Sequence, residues 1–67
     1  MTQCEIILNH IKRYGEISSM EAMELYGICR LAARIGDLRD RGVKIKMIKR
    51  KARNRFGKKT QYGVYTL

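Results

Sequence analysis

The side chains of this sequence that are most able to do chemistry are cations, and the chemistry that they suit is anion binding. Ten of the fifteen lysines and arginines lie between Arg41 and Lys59, with no acidic residue among them. Six acidic and five basic residues in positions 1 to 40 sum to −1, and the last eight residues carry no charge. The net charge of +9 is therefore local, which predicts one face for a polyanion.

Two arginines outside that segment are spaced for the recognition of base pairs. Arg30, Ala33, Arg34 and Asp37 follow the i, i+3, i+4, i+7 spacing of one helix face, with Arg41 one turn further on. Since arginine pairs with guanine O6 and N7 through two hydrogen bonds, we predict that Arg30 and Arg34 read base edges. Asp37 accepts from a cytosine amino group or, as we favour, pairs with Arg34 or Arg41. The alternative for this face is plain solvation.

The cations of the second half predict contacts with a phosphate backbone or an adjacent minor groove. The candidates, including one amide, are Lys49, Arg50, Lys51, Arg53, Asn54, Arg55, Lys58 and Lys59. Arg53 and Arg55 flank the expected tip of a hairpin, so we favour them for insertion into a minor groove. Lys46 and Lys49 have the alternative role of edge-strand charges that prevent strand addition.

Catalytic and metal-binding constellations are not readable in the sequence. His10 is the single histidine, and it has no cysteine, serine or carboxylate arranged with it as in a catalytic site. Cys4 and Cys29 form no CxxC pair, so neither a zinc site nor a disulfide framework is expected. We predict no enzyme activity, no metal and no cofactor, and two reduced, buried thiols.

Length and composition indicate one folded domain over residues 1–67. A chain of 67 residues buries only about 60% of its unfolded surface, which disfavours a deep catalytic cleft. An apolar content of 45% argues against a disordered basic tail. Neither a signal peptide nor a membrane-spanning apolar run is present, so we expect a cytosolic protein without membrane contact.

Apolar periodicity predicts the elements of the first half. A helical pattern runs from Gln3 to Tyr14 and is followed by Gly15, a residue typical of helix ends. Glu16 to Ser18 is long enough only for a short strand. Ser18 and Glu21 then have the spacing of a capping box, which predicts a second helix ending at about Tyr26.

A tight turn at Gly27 separates the second helix from a third apolar stripe. The stripe ends at Gly42 and consists of Ile28, Leu31, Ala32, Ile35 and Leu38. If it faces the core, the arginine face described above is directed away from the core.

Beyond Gly42 the apolar period changes from helical to alternating, which predicts strands. Val43, Ile45 and Met47 alternate with polar residues, a turn-prone basic stretch spans residues 54–59, and Thr60 to Leu67 is rich in β-formers. The pattern predicts a hairpin with a basic loop.

The remaining large side chains are assigned to packing. We expect three methionines in the core and four tyrosines half-buried with exposed hydroxyls. They are Met20, Met23, Met47, Tyr14, Tyr26, Tyr62 and Tyr65. Phe56 packs over the hairpin or stacks on a base, and we favour packing. Arg39 is expected to pair with an acidic side chain or a phosphate.

The segment from Ser18 to Gly42, SSMEAMELYGICRLAARIGDLRDRG, resembles the helix-turn-helix of winged-helix domains. It is most similar to small versions from bacteriophages and other mobile elements, which share S-x-E-A-x-x-x-x-G-I-x-R-L-x-A-R-I-x-D-L-R-x-x-G. Gly27 to Gly42 is the most specific stretch, and Val43 departs from the aromatic residue of the pattern. The resemblance implies an α+β winged helix-turn-helix, with three helices, a two-stranded hairpin wing and a short third strand near Glu16 to Ser18.

The same resemblance implies sequence-specific or semi-specific binding of double-stranded DNA. The recognition helix, about residues 29–41, would enter the major groove, and the wing, about residues 49–59, would contact phosphates or the minor groove. A phage or mobile-element regulator or accessory factor in a bacterial host cytoplasm is the expected context. The alternative is a winged-helix interaction module that inhibits a host nucleic-acid enzyme. The partner is then a host or phage protein, and the choice between monomer and homodimer stays open.

Overall fold

The computed structural model describes residues 2–53 and 55–67, and in these residues it shows three helices and one antiparallel sheet. The elements are α1 (Gln3–Tyr14), β1 (Ile17–Ser18), α2 (Ser19–Tyr26), α3 (Leu31–Asp40), β2 (Lys46–Arg53) and β3 (Lys59–Thr66). The sheet order is β1-β3-β2. This arrangement confirms the predicted α+β winged helix-turn-helix with a short third strand.

Helix α1 has the bounds that its periodicity predicts. The Thr2 hydroxyl caps its start by accepting from the Glu5 N–H at 3.2 Å. Gly15 ends it with φ +93°, a conformation that favours glycine, and donates its N–H to the Ile11 carbonyl at 2.7 Å. The two ends therefore follow from local sequence.

Helix α2 begins at the predicted capping box. Glu21 N–H donates to the Ser18 hydroxyl at 3.1 Å, and Ser18 N–H donates to Glu21 Oε1 at 3.1 Å. Ala22 is the one fully buried residue of this helix. Because α2 packs through that small side chain, its larger apolar groups lie outside the core.

Several packing predictions are wrong. The methionines are exposed rather than buried, with exposed fractions of 70% for Met20, 54% for Met23 and 52% for Met47. Cys4 is buried but Cys29 is exposed, because Cys29 lies in the turn before α3. Ala32 is likewise exposed rather than part of the apolar stripe. Hydrophobicity alone overestimated how much of the turn and of α2 the core could cover.

The tyrosines divide into two groups. Tyr14, Tyr26 and Tyr62 are exposed, and Tyr65 is half-buried against the core as predicted. The Tyr26 hydroxyl is not a surface group alone, because it lies 2.7 Å from Nδ1 of the buried His10. His10 Nε2 lies 3.7 Å from Glu21 Oε2, so the imidazole joins α1 to the capping box of α2.

The core lies between the three helices and one face of the sheet. Its fully buried side chains are all aliphatic, which provides the main stabilisation of a domain of this size. They include Ile7, Ile11, Ile17, Ile28, Leu31 and Ile35. Val43 and Ile45 also pack there, but they precede β2, which begins at Lys46 rather than at Val43.

The sheet changes from three strands to two along its length. β1 pairs only with Tyr65 and Val64, whereas β2 and β3 pair continuously from Lys46–Thr66 to Arg53–Lys59. Residues 49–53 and 59–63 therefore form a two-stranded extension without β1, which we call the ribbon. β3 begins at Lys59, one residue before the predicted Thr60.

Candidate nucleic-acid interface

The start of α3 is set by a turn in which Gly27 and Arg30 leave the helical conformation. Gly27 has φ +68°, and the Ile28 N–H donates to the Ala22 carbonyl at 3.0 Å. Arg30 is the N-cap of α3, with φ −119° and ψ 59° and no side-chain capping bond. The helix spans Leu31–Asp40, so it is shorter than the predicted 29–41, and Arg30 and Arg41 are its two end caps.

The residues predicted for the base-reading face of α3 are partly exposed and partly half-buried. Leu31, Ile35 and Leu38 are buried as expected, whereas Arg30 and Arg41 are exposed. Ala33, Arg34 and Asp37 are half-buried. By spacing, both arginines near the start of α3 lie on one side of the helix, and Arg34, four residues before the buried Leu38, borders the buried stripe.

Arg34 and Asp37 form the ion pair that we favoured for Asp37. Arg34 Nε lies 3.2 Å from Asp37 Oδ2, with the side chains 37% and 46% exposed. The two groups are poorly aligned, so among the described residues the Nε–H has no hydrogen-bond partner. A partly exposed pair of this kind contributes little to stability, but it restricts the guanidinium to the side of α3 where Asp37 lies.

Within the described residues Arg39 pairs with a backbone carbonyl and not with an acid, the first of its two predicted partners, while its contact with a phosphate stays a prediction. Its Nε and Nη2 donate to the Ile45 carbonyl at 3.2 and 2.9 Å. The intervening chain turns at Gly42, which has φ +91°, and the Val43 N–H donates to the Leu38 carbonyl at 3.0 Å. Arg39 therefore fixes the path of the chain between α3 and β2. No sequence signal indicated this positioning role.

The ribbon divides its cations between two faces. In regular antiparallel strands alternate side chains share a face, so Met47 and Tyr65 lie on the face of Ile17, which packs on the helices. The same alternation assigns four cations to that face beyond the core, and we call them the cationic row. They are Lys49, Lys51, Arg53 and Lys59.

The turn that joins the strands carries the other predicted wing contacts. Arg55 and Lys58 are exposed, and Asn54 lies outside the described residues. Phe56 is 81% exposed, so the favoured interpretation, that its ring packs over the hairpin, is wrong. The tip therefore presents both cationic and aromatic surface.

Arg50 lies on the opposite face of the ribbon from the cationic row. Its Nε donates to Glu16 Oε2 at 2.9 Å and its Nη2 donates to Glu16 Oε1 at 2.5 Å, a two-point ion pair. These hydrogen bonds and the negative charge of Glu16 raise the pKa of the Arg50 guanidinium above its ordinary value. Sequence reasoning missed this pair, since 34 residues separate its members.

This arrangement suits the binding of an extended anion. Within residues 2–53 and 55–67, no three histidine, cysteine or acidic side chains lie close enough to hold a metal ion. In the same ranges no helix is both long enough and apolar enough to span a bilayer. What the geometry offers is a short helix with two arginines near its start, joined by a fixed turn to a cationic row.

Comparison with known proteins identifies the family of this chain. Residues 2–67 match the model of a family described as the winged helix-turn-helix domain. No curated protein and no solved structure matched the chain. The family assignment covers every described residue and agrees with the order of helices and strands.

Proposed function

Because this chain belongs to the winged helix-turn-helix domain family, a family that suggests DNA binding, we propose that it binds double-stranded DNA through α3 and the ribbon. In this proposal α3 enters the major groove, and the cationic row follows the flanking phosphates or the adjacent minor groove. Binding is sequence-specific or semi-specific, and the protein performs no covalent chemistry.

The observation that carries the proposal is the separation of charge along the fold. The ten cations between Arg41 and Lys59 lie on the end of α3, the connecting turn and the hairpin, whereas all six acidic residues precede Arg41. B-DNA binds such a surface by releasing counterions from its phosphates. Without a bound polyanion, the like charges of this surface repel one another.

Two side chains are proposed to read bases. Arg30 is exposed at the N-cap of α3, and Arg34 lies one turn further along. The N-terminal end of a recognition helix is the part that reaches base edges, and arginine reads guanine most often. Arg41, Arg55 and the cationic row are proposed to contact phosphates.

The biological setting is proposed from the sequence resemblance. It favours a regulator or accessory factor of a bacteriophage or mobile element, acting in a bacterial cytoplasm. A domain of this size contacts few base pairs, so a homodimer or tandem sites would raise its specificity.

Titration with duplex DNA over a range of salt concentrations tests the proposal. If five or six phosphates are neutralised, log K is expected to fall with log salt with a slope of about −5. Absence of binding at low salt, or binding that does not depend on salt, would remove the proposal.

Replacement of the two arginines tests the assignment of base readout. Arg30→Ala combined with Arg34→Ala is expected to lower the affinity for a selected site about 10-fold or more, while binding to random duplex weakens much less. Lys12→Ala combined with Arg13→Ala removes the same charge from α1 and serves as the control. Equal losses on selected and random DNA would show that the arginines only contact phosphates.

A protein interaction module is the second candidate, and one observation favours it. Met20, Met23 and Leu25 of α2 are 70%, 54% and 60% exposed, and methionine-rich surfaces adapt to varied partners. A partner with an acidic surface would also suit the basic hairpin. In that case the two arginine replacements would leave DNA behaviour unchanged and abolish capture of a host or phage protein.

A further inference from the structure

The ribbon is joined to the rest of the fold by few contacts. β1 pairs with β3 only at Tyr65 and Val64, so among residues 2–53 and 55–67 the two strands beyond Val64 have no third strand beside them. An isolated two-stranded hairpin is only marginally stable in water and twists easily. The angle between the ribbon and α3 therefore needs a further restraint if both are to contact one duplex.

The Glu16–Arg50 ion pair lies where such a restraint would act. Ser18, Val64 and Ile48 form a row of side chains on the sheet face opposite Ile17. Arg50 and Tyr62 form the next row on that face, in the direction of the ribbon. Glu16 directly precedes β1, at the end of that strand farther from the ribbon. The ion pair thus connects the base of the ribbon to the strand that the ribbon has left.

The burial of Val64 supports the same interpretation. Val64 is 1% exposed, although it lies on the sheet face opposite Ile17 and outside the main core cluster. In the register Val64 pairs with Ser18 and Ile48, two residues along β3 from the Tyr62 that pairs with Arg50. Arg50 lies on the same face as Val64 and extends to Glu16, so the aliphatic part of its side chain is positioned to cover Val64.

The geometry also distinguishes Arg50 from the cationic row. Both of its hydrogen bonds are made to one carboxylate inside the protein, at 2.9 and 2.5 Å. The cationic row lies on the opposite face of the ribbon. A phosphate bound by that row would not reach Arg50 without a rotation of the strand.

We propose that Arg50 is a positioning residue, which through Glu16 holds the ribbon at the angle to α3 that DNA binding requires. This inference rests on the proposed DNA binding. Two contact regions that are held in a fixed relation bind one duplex more tightly than two that move independently, since less freedom is lost on binding. Glu16, an acidic residue, then strengthens the binding of a polyanion.

The replacement Glu16→Gln gives opposite results under the two roles for Arg50. If Arg50 only contacts a phosphate, the loss of an acid frees its guanidinium and raises the net charge, so affinity increases. If Arg50 is a positioning residue, affinity falls, and we expect a loss of about threefold to tenfold. Unchanged or increased affinity of Glu16→Gln would overturn the proposal.

A double-mutant cycle completes the test. Arg50→Gln, Glu16→Gln and the double variant are all expected to lose affinity by a similar factor, because each breaks the same ion pair. Glu24→Gln removes an exposed acid from α2 and is the matched control, with affinity equal to or slightly above that of the unmodified protein. A double variant that is weaker than either single variant by the product of their effects would contradict a shared role.

Amide hydrogen exchange separates this proposal from the proposed function. In the protein without DNA, Glu16→Gln is expected to speed exchange in residues 49–53 and 59–63 at least fivefold, with little change in α1. Glu24→Gln should leave both regions unchanged. If the unmodified protein binds no DNA, the proposed function fails, but the exchange experiment still decides whether the ion pair holds the ribbon. Unaltered exchange in the ribbon of Glu16→Gln would show that the ion pair does not hold it.

Discussion

The helical part of the molecule and the ribbon are held in place by different forces. From α1 to the start of β2, aliphatic side chains are buried at regular intervals, and the ends of α1 and α2 are capped. Along the ribbon nearly every side chain is exposed, and the contacts that restrain it include the backbone ladder, the hydrogen bond from the Thr60 hydroxyl to the Ala52 carbonyl and the Glu16–Arg50 ion pair. Stability therefore resides in the helical part, whereas the ribbon contributes charge to the proposed DNA binding.

This difference means that the two regions respond differently to substitution. A packed core responds to the loss of a few methylene groups, whereas an exposed strand responds mainly through its charge. Changes in the helical part should therefore lower the amount of folded protein. Changes in the ribbon should lower affinity with folding intact.

The largest effect is expected from truncation of the same residue type in the two regions. Ile35 is fully buried in α3, whereas Ile48 of β2 is 43% exposed. Ile35→Ala is expected to cost about 2–5 kcal/mol of unfolding free energy, because it leaves a cavity. Ile48→Ala is expected to cost less than about 1 kcal/mol. Urea denaturation monitored by circular dichroism measures both, and equal losses would contradict the comparison.

A smaller effect is expected at the capping box of α2. Ser18→Ala removes the hydroxyl that accepts from the Glu21 N–H, at an expected cost of about 1 kcal/mol. Ser19→Ala changes the exposed neighbour at the first position of the helix and should cost less than about 0.5 kcal/mol. The same denaturation experiment compares them. If Ser19→Ala were the more destabilising change, helix capping would not explain the start of α2.

The helical part was predictable from sequence because its determinants are local. A capping box, a glycine after a helix and a spacing of three to four residues each act within one or two turns, so the bounds of α1 and the start of α2 were predicted correctly. The exposure of Met20 and Met23 was not predictable in this way. It depends on how closely a helix of eight residues approaches the core, which periodicity does not contain.

The contacts that position the candidate site were not predictable for a related reason. The contact between Arg39 and the Ile45 carbonyl depends on the path of a turn, and the Glu16–Arg50 pair depends on the register of three strands. The sequence contains the charges but offers no means to divide them between proposed phosphate contacts and internal ion pairs. That division required the alternation of side chains across the ribbon.

The smallest effect on stability, and the sharpest contrast in function, is expected from removing one lysine in each region. Lys51 belongs to the cationic row, and Lys12 is an exposed residue of α1. Both alanine variants should unfold within about 0.5 kcal/mol of the unmodified protein. Lys51→Ala should also reduce the slope of log K against log salt by about 0.9, the value for one phosphate contact, whereas Lys12→Ala should leave the slope unchanged. Because the two variants have the same net charge, a similar change of slope in both would mean that total charge, rather than the face of the ribbon, determines binding.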